Sequence, residues 1–507
     1  MAHSYLLYIF TPKLVRFNLY RLSMKSPLLP VCPWRLARWV LCFSAMSFAL
    51  GVVARAALVP VAAQGDSTVS PRPTAAQLAW HDLETYAFIH YGLNTYTDAE
   101  WGYGDASPVL FDPDSLDCRQ WVRALKAGGL KGVILTAKHH DGFCLWPSRD
   151  NPDYSIARTP YYIKKARAGR AREEGDIVGW LSRACREEGL HFGLYLSPWD
   201  RHRADYASDS YVDYYHRQLT DLLSHYGPLF EVWFDGANGG DGYYGGAREK
   251  RRIDATTYYR FPQIYQLVDS LQPNAIIFSD AGPGCRWVGN ERGHAGQTCW
   301  ARVPSGVLTL GTDKVQLLGQ GQADGDLWIP AECDVSIRPG WFWHAQEDAQ
   351  VKQPAELFDI YLKSVGRGGT MLLNVPVNRH GRISAQDIAA LRGFRQLREQ
   401  AFARDILADA TLAAADNTLT YSLPASAAIR FVVLEEDIRQ GQHIEAFHVA
   451  YRPAGQTAFL PLPTAEATTT IGHKRILPLT HPVSADALRV AINAANGPAV
   501  IRSVAAF

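Results

Sequence analysis

Short apolar runs that stop abruptly at a polar or charged side chain recur through the first three-quarters of the chain. Leu229 to Phe234 (LFEVWF) is the clearest: too short for a helix and rich in aromatic and β-branched residues, it predicts a mostly buried strand. It ends at Asp235, with Gly236 beyond. The same design returns at Ala87–Tyr96, Gly132–Phe143, His191–Asp200, Asn274–Asp280 and Gly369–Asn378, each ending in His, Tyr, Trp, Asp or Asn. Between these runs the period changes to that of amphipathic helices, at Cys118–Leu130, Ile177–Leu190, Val212–Tyr226, Tyr259–Leu271 and Pro354–Val365. In the first of them Trp121, Val122 and Leu125 share one face, and Asp117 stands where an N-cap belongs.

Strand and helix alternate over roughly 300 residues with no Gly-rich phosphate fingerprint after the first strand. This predicts an α/β fold with a (β/α)8-like barrel rather than a dinucleotide-binding sheet. Barrel active sites form at the C-terminal ends of the strands, so the polar ends of these runs should gather at one mouth. Gly239–Gly246 and Val307–Leu327 read as loop insertions. Beyond residue 400 the pattern shifts to short β-like segments, Ala428–Leu434, Ile444–Tyr451, Thr468–Ile476 and Ala487–Ile492, which predict an all-β sandwich. The expected organisation is a leader over 1–66, the barrel over 67–400 and the sandwich over 401–507.

The leader is inferred from Arg35 and Arg38, the uncharged, mostly apolar run Trp39–Ala54 and the small-residue sites at Val53–Ala56 and Val61–Ala63. It reads as an export signal whose natural start is Met24, which directs the protein to the periplasm or outside the cell. An uncleaved anchor is the alternative, but the run falls short of the ~20 residues of a comfortable membrane span. The sequence offers no second candidate span.

With 51 basic and 50 acidic residues the formal net charge is +1, which gives no ground for a nucleic-acid or anionic-membrane partner. A weakly charged or neutral ligand suits this balance, and 14 Trp and 24 Tyr supply flat faces of the kind that pack on sugars. Six cysteines follow the leader without C-x-x-C spacing, so a structural zinc site is not expected. Export would allow pairing, and Cys285 with Cys299 is the first pair to test.

Asp235 is the first candidate catalytic carboxylate. Glu291, on a loop after the Asn274–Asp280 strand, is the second, with Asp280 and Glu332 as rivals. Two carboxyl groups facing one glycosidic bond can divide attack and protonation between them. Lys138-His139-His140-Asp141 lies at another strand end. Side chains of adjacent residues on a strand point to opposite sides, which makes the two histidines a poor metal pair but good hydrogen-bonding partners for a polyol. His90, Glu100, Trp101, Tyr195 and Trp233 are likewise at strand ends or just beyond. A metal-dependent hydrolase on His139, His140 and Asp141 and a non-catalytic sugar-binding protein are the competing classes.

Taken together, Phe88–Gly92 (FIHYG), Glu100-Trp101, Lys138–Phe143 (KHHDGF), Trp233–Gly236 (WFDG) and Leu372–Pro376 (LLNVP) resemble the α-L-fucosidases of glycoside hydrolase family 29, over roughly Gln77 to Gln400. The resemblance implies a fucosylated glycan as substrate, no cofactor or metal, and Asp235 as nucleophile of a retaining double displacement. It further implies that His90, Glu100, Trp101, His139, His140, Tyr195 and Trp233 line the fucose pocket. Tyr195–Arg201, Arg286–Glu291 and Arg338–Phe342 resemble the branch restricted to α-1,3/1,4-linked fucose, which implies Glu291 as acid/base. Two departures bear on the acceptor side: Tyr91, where Trp is common in the family, and extra residues between Asp235 and Glu291.

Overall fold

Eight parallel strands close into a barrel in the computed structural model, which describes residues 70–312 and 314–507. The leader expected over 1–66 lies outside the described residues. The strands are β1 Thr85–Ile89, β2 Gly132–Lys138, β3 His191–Leu196, β4 Glu231–Trp233, β5 Ile276–Ser279, β6 Cys285–Trp287, β7 Ala331–Ser336 and β8 Thr370–Asn374. Each pairs with its sequence neighbours, and β8 returns to β1 in the register Thr85 with Met371 through Phe88 with Asn374. The six anticipated runs all contribute strands, but shorter ones, because their polar tails leave the sheet and become the loops of one barrel mouth.

Strands β6 and β7 were not anticipated. Their sequences, CRW and AECDVS, carry Arg286, Glu332 and Asp334, which periodicity reads as surface residues although all three are buried. Barrel closure overrides the local pattern: the inward Glu332 and Asp334 are walled off from water whatever their polarity, and the outward Arg286 is covered by the segments whose Leu318, Ile329 and Trp300 carbonyls it binds. A core of Phe88, Ile134, Tyr195, Trp233, Phe278 and Leu372 fills the barrel, with Trp80 below it. A larger core lies between strands and helices, where Trp121, Val122 and Leu125 of helix Cys118–Ala127 are fully buried. Each such side chain contributes about 1.5–3 kcal/mol. Asp117 caps that helix by accepting the Arg119 and Gln120 N–H groups at 3.0 and 3.2 Å.

The first insertion is a hairpin in which Gly239–Gly242 pairs antiparallel with Glu249–Arg252; the second includes a short helix, Val315–Gln320. Helix Ala385–Ala401 completes the barrel, and an antiparallel sheet of six strands follows. Its long strands Thr418–Glu436 and Arg475–Ala495 pass two register shifts, which bend the sheet around a second core that includes Leu419, Tyr421, Ile429 and Val432. Of the expected segment Thr468–Ile476 only the end is strand, since strand structure starts at Arg475. Buried, paired charges join this domain to the barrel. Arg367 grips Glu466 through two bonds of 2.9 and 2.8 Å, and Lys474 meets Glu84.

The six described cysteines are all free, including Cys285 and Cys299, the first pair to test. The two thiols occupy different compartments: Cys285 faces the barrel interior, while Cys299 packs with Val288, Ala331 and Cys333. Among the described residues no helix is long and apolar enough to cross a membrane.

Candidate active site

All eight strands end at or just before a polar residue at the C-terminal mouth: His90 after β1, His139 and His140 after β2, Tyr195 in β3, Asp235 after β4, Asp280 after β5, Glu291 after β6, Asp334 in β7 and Asn374 in β8. A hollow there of about 490 Å³, mouth included, is lined by Phe88, His90, Glu100, Trp101, His139, His140, Trp233, Asp235, Glu291, Asp334 and Trp341. A larger, mainly apolar hollow opens at the opposite end, beside His191, Phe230 and Asn274. It lies at the face that supports the barrel rather than the chemistry.

Asp235 is held by two donors. Its Oδ1 accepts the Ala237 N–H at 2.7 Å, and its Oδ2 accepts the Tyr195 hydroxyl at 3.2 Å. Burial outweighs these bonds and raises the carboxyl to about 6. Asp280 stands behind the turn, pressed so closely on Gly236 that a methyl group there would collide with its carboxylate. That contact accounts for the glycine of WFDG. Its Oδ2 is occupied by the Gly311 N–H at 2.9 Å, and it is not a wall of the hollow.

Glu291 does line the hollow. More than a third of its surface is open, yet its carboxyl is held above the ordinary value, first by burial of the charged group and then by the charges of Asp235 and Glu100. Glu332, the other rival, is fully buried one layer below, where it accepts the Trp233 indole N–H at 2.8 Å and the Tyr86 hydroxyl. It reaches no substrate.

The histidines are neutral and their tautomers follow from their partners. Asn374 donates both amide hydrogens, to Ser336 Oγ at 2.9 Å and to the Trp341 carbonyl at 2.8 Å, so its oxygen must accept from His90 Nδ1 at 2.8 Å. Likewise Ser197 donates to the Trp199 carbonyl at 2.7 Å and accepts from His140 Nδ1 at 2.7 Å. Burial lowers both rings to about 3. Each therefore keeps an Nε2 lone pair, suited to accept from a sugar hydroxyl, and that of His140 lies 3.8 Å from Asp235.

Contrary to the strand-alternation expectation, His139 and His140 both face the hollow, with ring centroids 4.1 Å apart. Strand β2 ends at Lys138 and the histidines lie in the turn that follows, so period-two alternation no longer applies. Lys138 anchors that turn from below through Asp200 at 3.2 Å and Gln218 at 3.1 Å. Donor atoms of His139, His140 and Asp141 do not gather into a metal-sized cluster; among the described residues the one such grouping is Glu231, Cys285 and Glu332.

Glu100 uses its carboxylate to hold the opposite wall. It accepts the Trp341 and Phe342 N–H groups at 2.7 and 3.2 Å and His344 Nε2 at 2.6 Å. Trp101, 55% exposed, stands at the rim edge-on to His140 at 5.2 Å. Arg201 fixes its loop by donating to the Trp101 and Gly102 carbonyls, both at 2.9 Å, and to the Asp241 carbonyl of the inserted hairpin at 2.8 Å. Tyr91 faces away, packed on Phe111 and Trp121. Sequence reasoning did not single out Phe88, Asp334, Asn374 or Ser197. The usable signal for Asp334 is its two-residue spacing from Glu332, which puts both acids on the inner face of β7.

Carboxyl groups of unlike proton affinity, neutral hydrogen-bonding rings and aromatic walls at a barrel mouth define the class as a glycosidase. Comparison with known proteins narrows it. The family described as Alpha-L-fucosidase matches residues 68–396. A relative from Oryza sativa subsp. japonica is 41% identical over 441 residues, 80% of either chain. Alpha-L-fucosidase 1 of Arabidopsis thaliana is 38% identical over 460 residues, 84% of this chain and 86% of its own. The crystal structure of a glycoside hydrolase 29 family member from an unknown rumen bacterium superposes with a TM-score of 0.81 at 42% identity, covering 87% of this chain and 78% of that one. The chain belongs to the α-L-fucosidase family of glycoside hydrolases.

Proposed function

We propose that this α-L-fucosidase is an exported, retaining enzyme that releases terminal α-1,3/1,4-linked fucose by double displacement. Asp235 attacks the anomeric carbon and Glu291 protonates the departing oxygen. Glu291 then takes a proton from the water that hydrolyses the glycosyl-enzyme. The observation that carries this reading is that Asp235, oriented by Tyr195, and Glu291 line one hollow, while both Glu100 oxygens hold the 341–344 wall and Asp334 Oδ1 accepts the Trp287 N–H at 2.8 Å. His90, His139 and His140 bond the ring hydroxyls, Tyr195 orients the nucleophile, and Trp233 and Trp101 pack on apolar sugar faces. Glu100 contributes through the loop that it holds.

The linkage preference rests on the sequence segments Tyr195–Arg201, Arg286–Glu291 and Arg338–Phe342. Two of their arginines support the scaffold: Arg286 donates to the Leu318 and Trp300 carbonyls, and Arg338 to Asp387 and Asp348. The inserted hairpin and the Trp101 rim shape the acceptor side. A product screen over 2-, 3-, 4- and 6-linked fucosides tests the reading. Rapid cleavage of branched 3- and 4-linked glycans with little action on 2-linked ones is expected, and comparable rates on all would remove the restriction. A fluoro-fucoside label on a residue other than Asp235 would remove the assigned nucleophile.

A further inference from the structure

Beneath the pocket floor two glutamates face each other inside the barrel. Glu231 of β4 and Glu332 of β7 are both fully buried, with an oxygen of each and Cys285 Sγ all within 4.8 Å of one another. The partners of the pair are few. Glu332 accepts the Trp233 indole N–H at 2.8 Å and the Tyr86 hydroxyl, which also lies 3.0 Å from Thr370 Oγ1. Glu231 accepts the Trp80 indole N–H at 2.9 Å, with the Cys285 thiol at 3.9 Å. Among the described residues no lysine, arginine or histidine bonds either group.

Two adjacent anions without a countercharge are not tolerated in such a place, and a like-charged neighbour forces one carboxyl to keep its proton. Two strong donors converge on Glu332 and one on Glu231, so the charge belongs on Glu332. Burial and the neighbouring carboxylate raise Glu231 well above the ordinary range, in the same sense.

We propose that Glu231 and Glu332 share a single proton, carried by Glu231, and that the resulting Glu332 carboxylate is a positioning group for the reaction, fixing Trp233 in the pocket floor and with it the strand end that bears Asp235. Trp233 lines the hollow and is held in two ways: it stacks on Phe278 with centroids 4.0 Å apart and planes 5° apart, and its N–H is anchored on Glu332. Asp235 follows two residues later. The catalytic consequence rests on the roles proposed above for Trp233 and Asp235; the shared proton does not.

The test compares isosteric amides in the full chain. In Glu231→Gln the amide N–H replaces the shared proton and its oxygen still accepts from Trp80, so kcat/KM should fall less than about threefold. Glu332→Gln offers one acceptor oxygen to two donors and should lose more than about tenfold. In a Trp233→Phe background that donor is gone, and the added loss from Glu332→Gln should shrink to under about threefold. Equal losses in the two amide variants would overturn the assignment of the proton, and an undiminished loss in the Trp233→Phe background would overturn the link through Trp233. Infrared difference spectra of wild type against Glu231→Gln at pH 8 read the proton without reference to activity: loss of one protonated-carboxyl band is expected, and no such loss overturns the pair. Both limbs of the pH–rate profile should stay in place in Glu231→Gln, because the pair does not titrate in the working range; a moved limb would count against it.

Discussion

Replacing Asp235 by Asn should abolish turnover and stabilise the fold. The geometry permits the swap: an amide oxygen can still accept the Ala237 N–H, and the amide nitrogen can face Tyr195 with the hydroxyl now accepting. Loss of a nucleophile that acts as part of a unit costs on the order of 10⁴-fold or more in kcat, with binding largely kept. The stability gain follows from the buried charge. A carboxyl titrating at about 6 rather than 3.8 is ionised in the native state against a penalty of about 3 kcal/mol at pH 7. A quarter of its side chain is open, so solvent screening brings this to about 1–3 kcal/mol. The native pKa is the raised one, so the folded enzyme binds more protons than the unfolded chain between pH ~4 and ~6, and wild-type stability declines as pH rises through that window. Asn has no such term. The Tm gap in favour of Asp235→Asn should open across this window and stay level above it, at roughly 1 °C per kcal/mol for a chain of this length. Thermal unfolding from pH 4 to 8 reads it, and the acid limb of wild-type kcat/KM should fall near pH 6. A variant less stable than wild type, or a gap independent of pH, would refute the buried-charge reasoning.

Glu291→Ala should cripple natural glycans far more than activated aryl fucosides, with azide partly restoring the second step; equal losses without rescue would take the acid/base role from Glu291. Glu100→Ala strands three donors of the 341–344 wall and should lower kcat/KM by about 10–100-fold. It should also lower the His344 pKa, which Asp98 and Glu100 hold above the ordinary value; an unmoved His344 resonance in an NMR titration would refute the wall-holding role. In a native secretory host the mature chain should begin between Ala57 and Asp66, and intact mass spectrometry that finds Met24–Ala54 retained would contradict export with cleavage.

What could be read from the sequence divides along a physical line. Runs such as GVILTAK and HFGLYL announce strands because both faces are buried and almost every residue is apolar, and their polar ends mark the mouth. AECDVS does not, because its inward positions hold acids that only barrel closure can bury. Asp235 was legible from its place after a strand, whereas the partners that set its neighbourhood were not. Asn374 and Ser197 act on His90 and His140 across strands far apart in sequence, and no local pattern encodes a tautomer. Adjacent histidines were read by strand geometry although the strand had ended one residue earlier, which is why their common orientation was missed.

The two inward acids of β7 show how one barrel keeps different proton affinities a few residues apart. Glu332, in the lower layer, takes the Trp233 and Tyr86 hydrogen bonds and is shut off from solvent. Asp334, in the upper layer, gives one oxygen to the Trp287 N–H at 2.8 Å and lines the hollow, where burial first and then the charges of Glu291 and Glu332 hold it well above the carboxylate range. Among the described residues no lysine or arginine lines the hollow, so burial and mutual repulsion govern the protons there. A site without cations has no means of keeping all its carboxyls ionised. Some must hold protons at neutral pH, and a glycosidic oxygen needs a proton donor of that kind as it departs. The neutral imidazoles fit the same logic: charged rings would pull the carboxyl pKa values down and spoil the acid, whereas neutral ones offer lone pairs to sugar hydroxyls and leave Glu291 above its ordinary value.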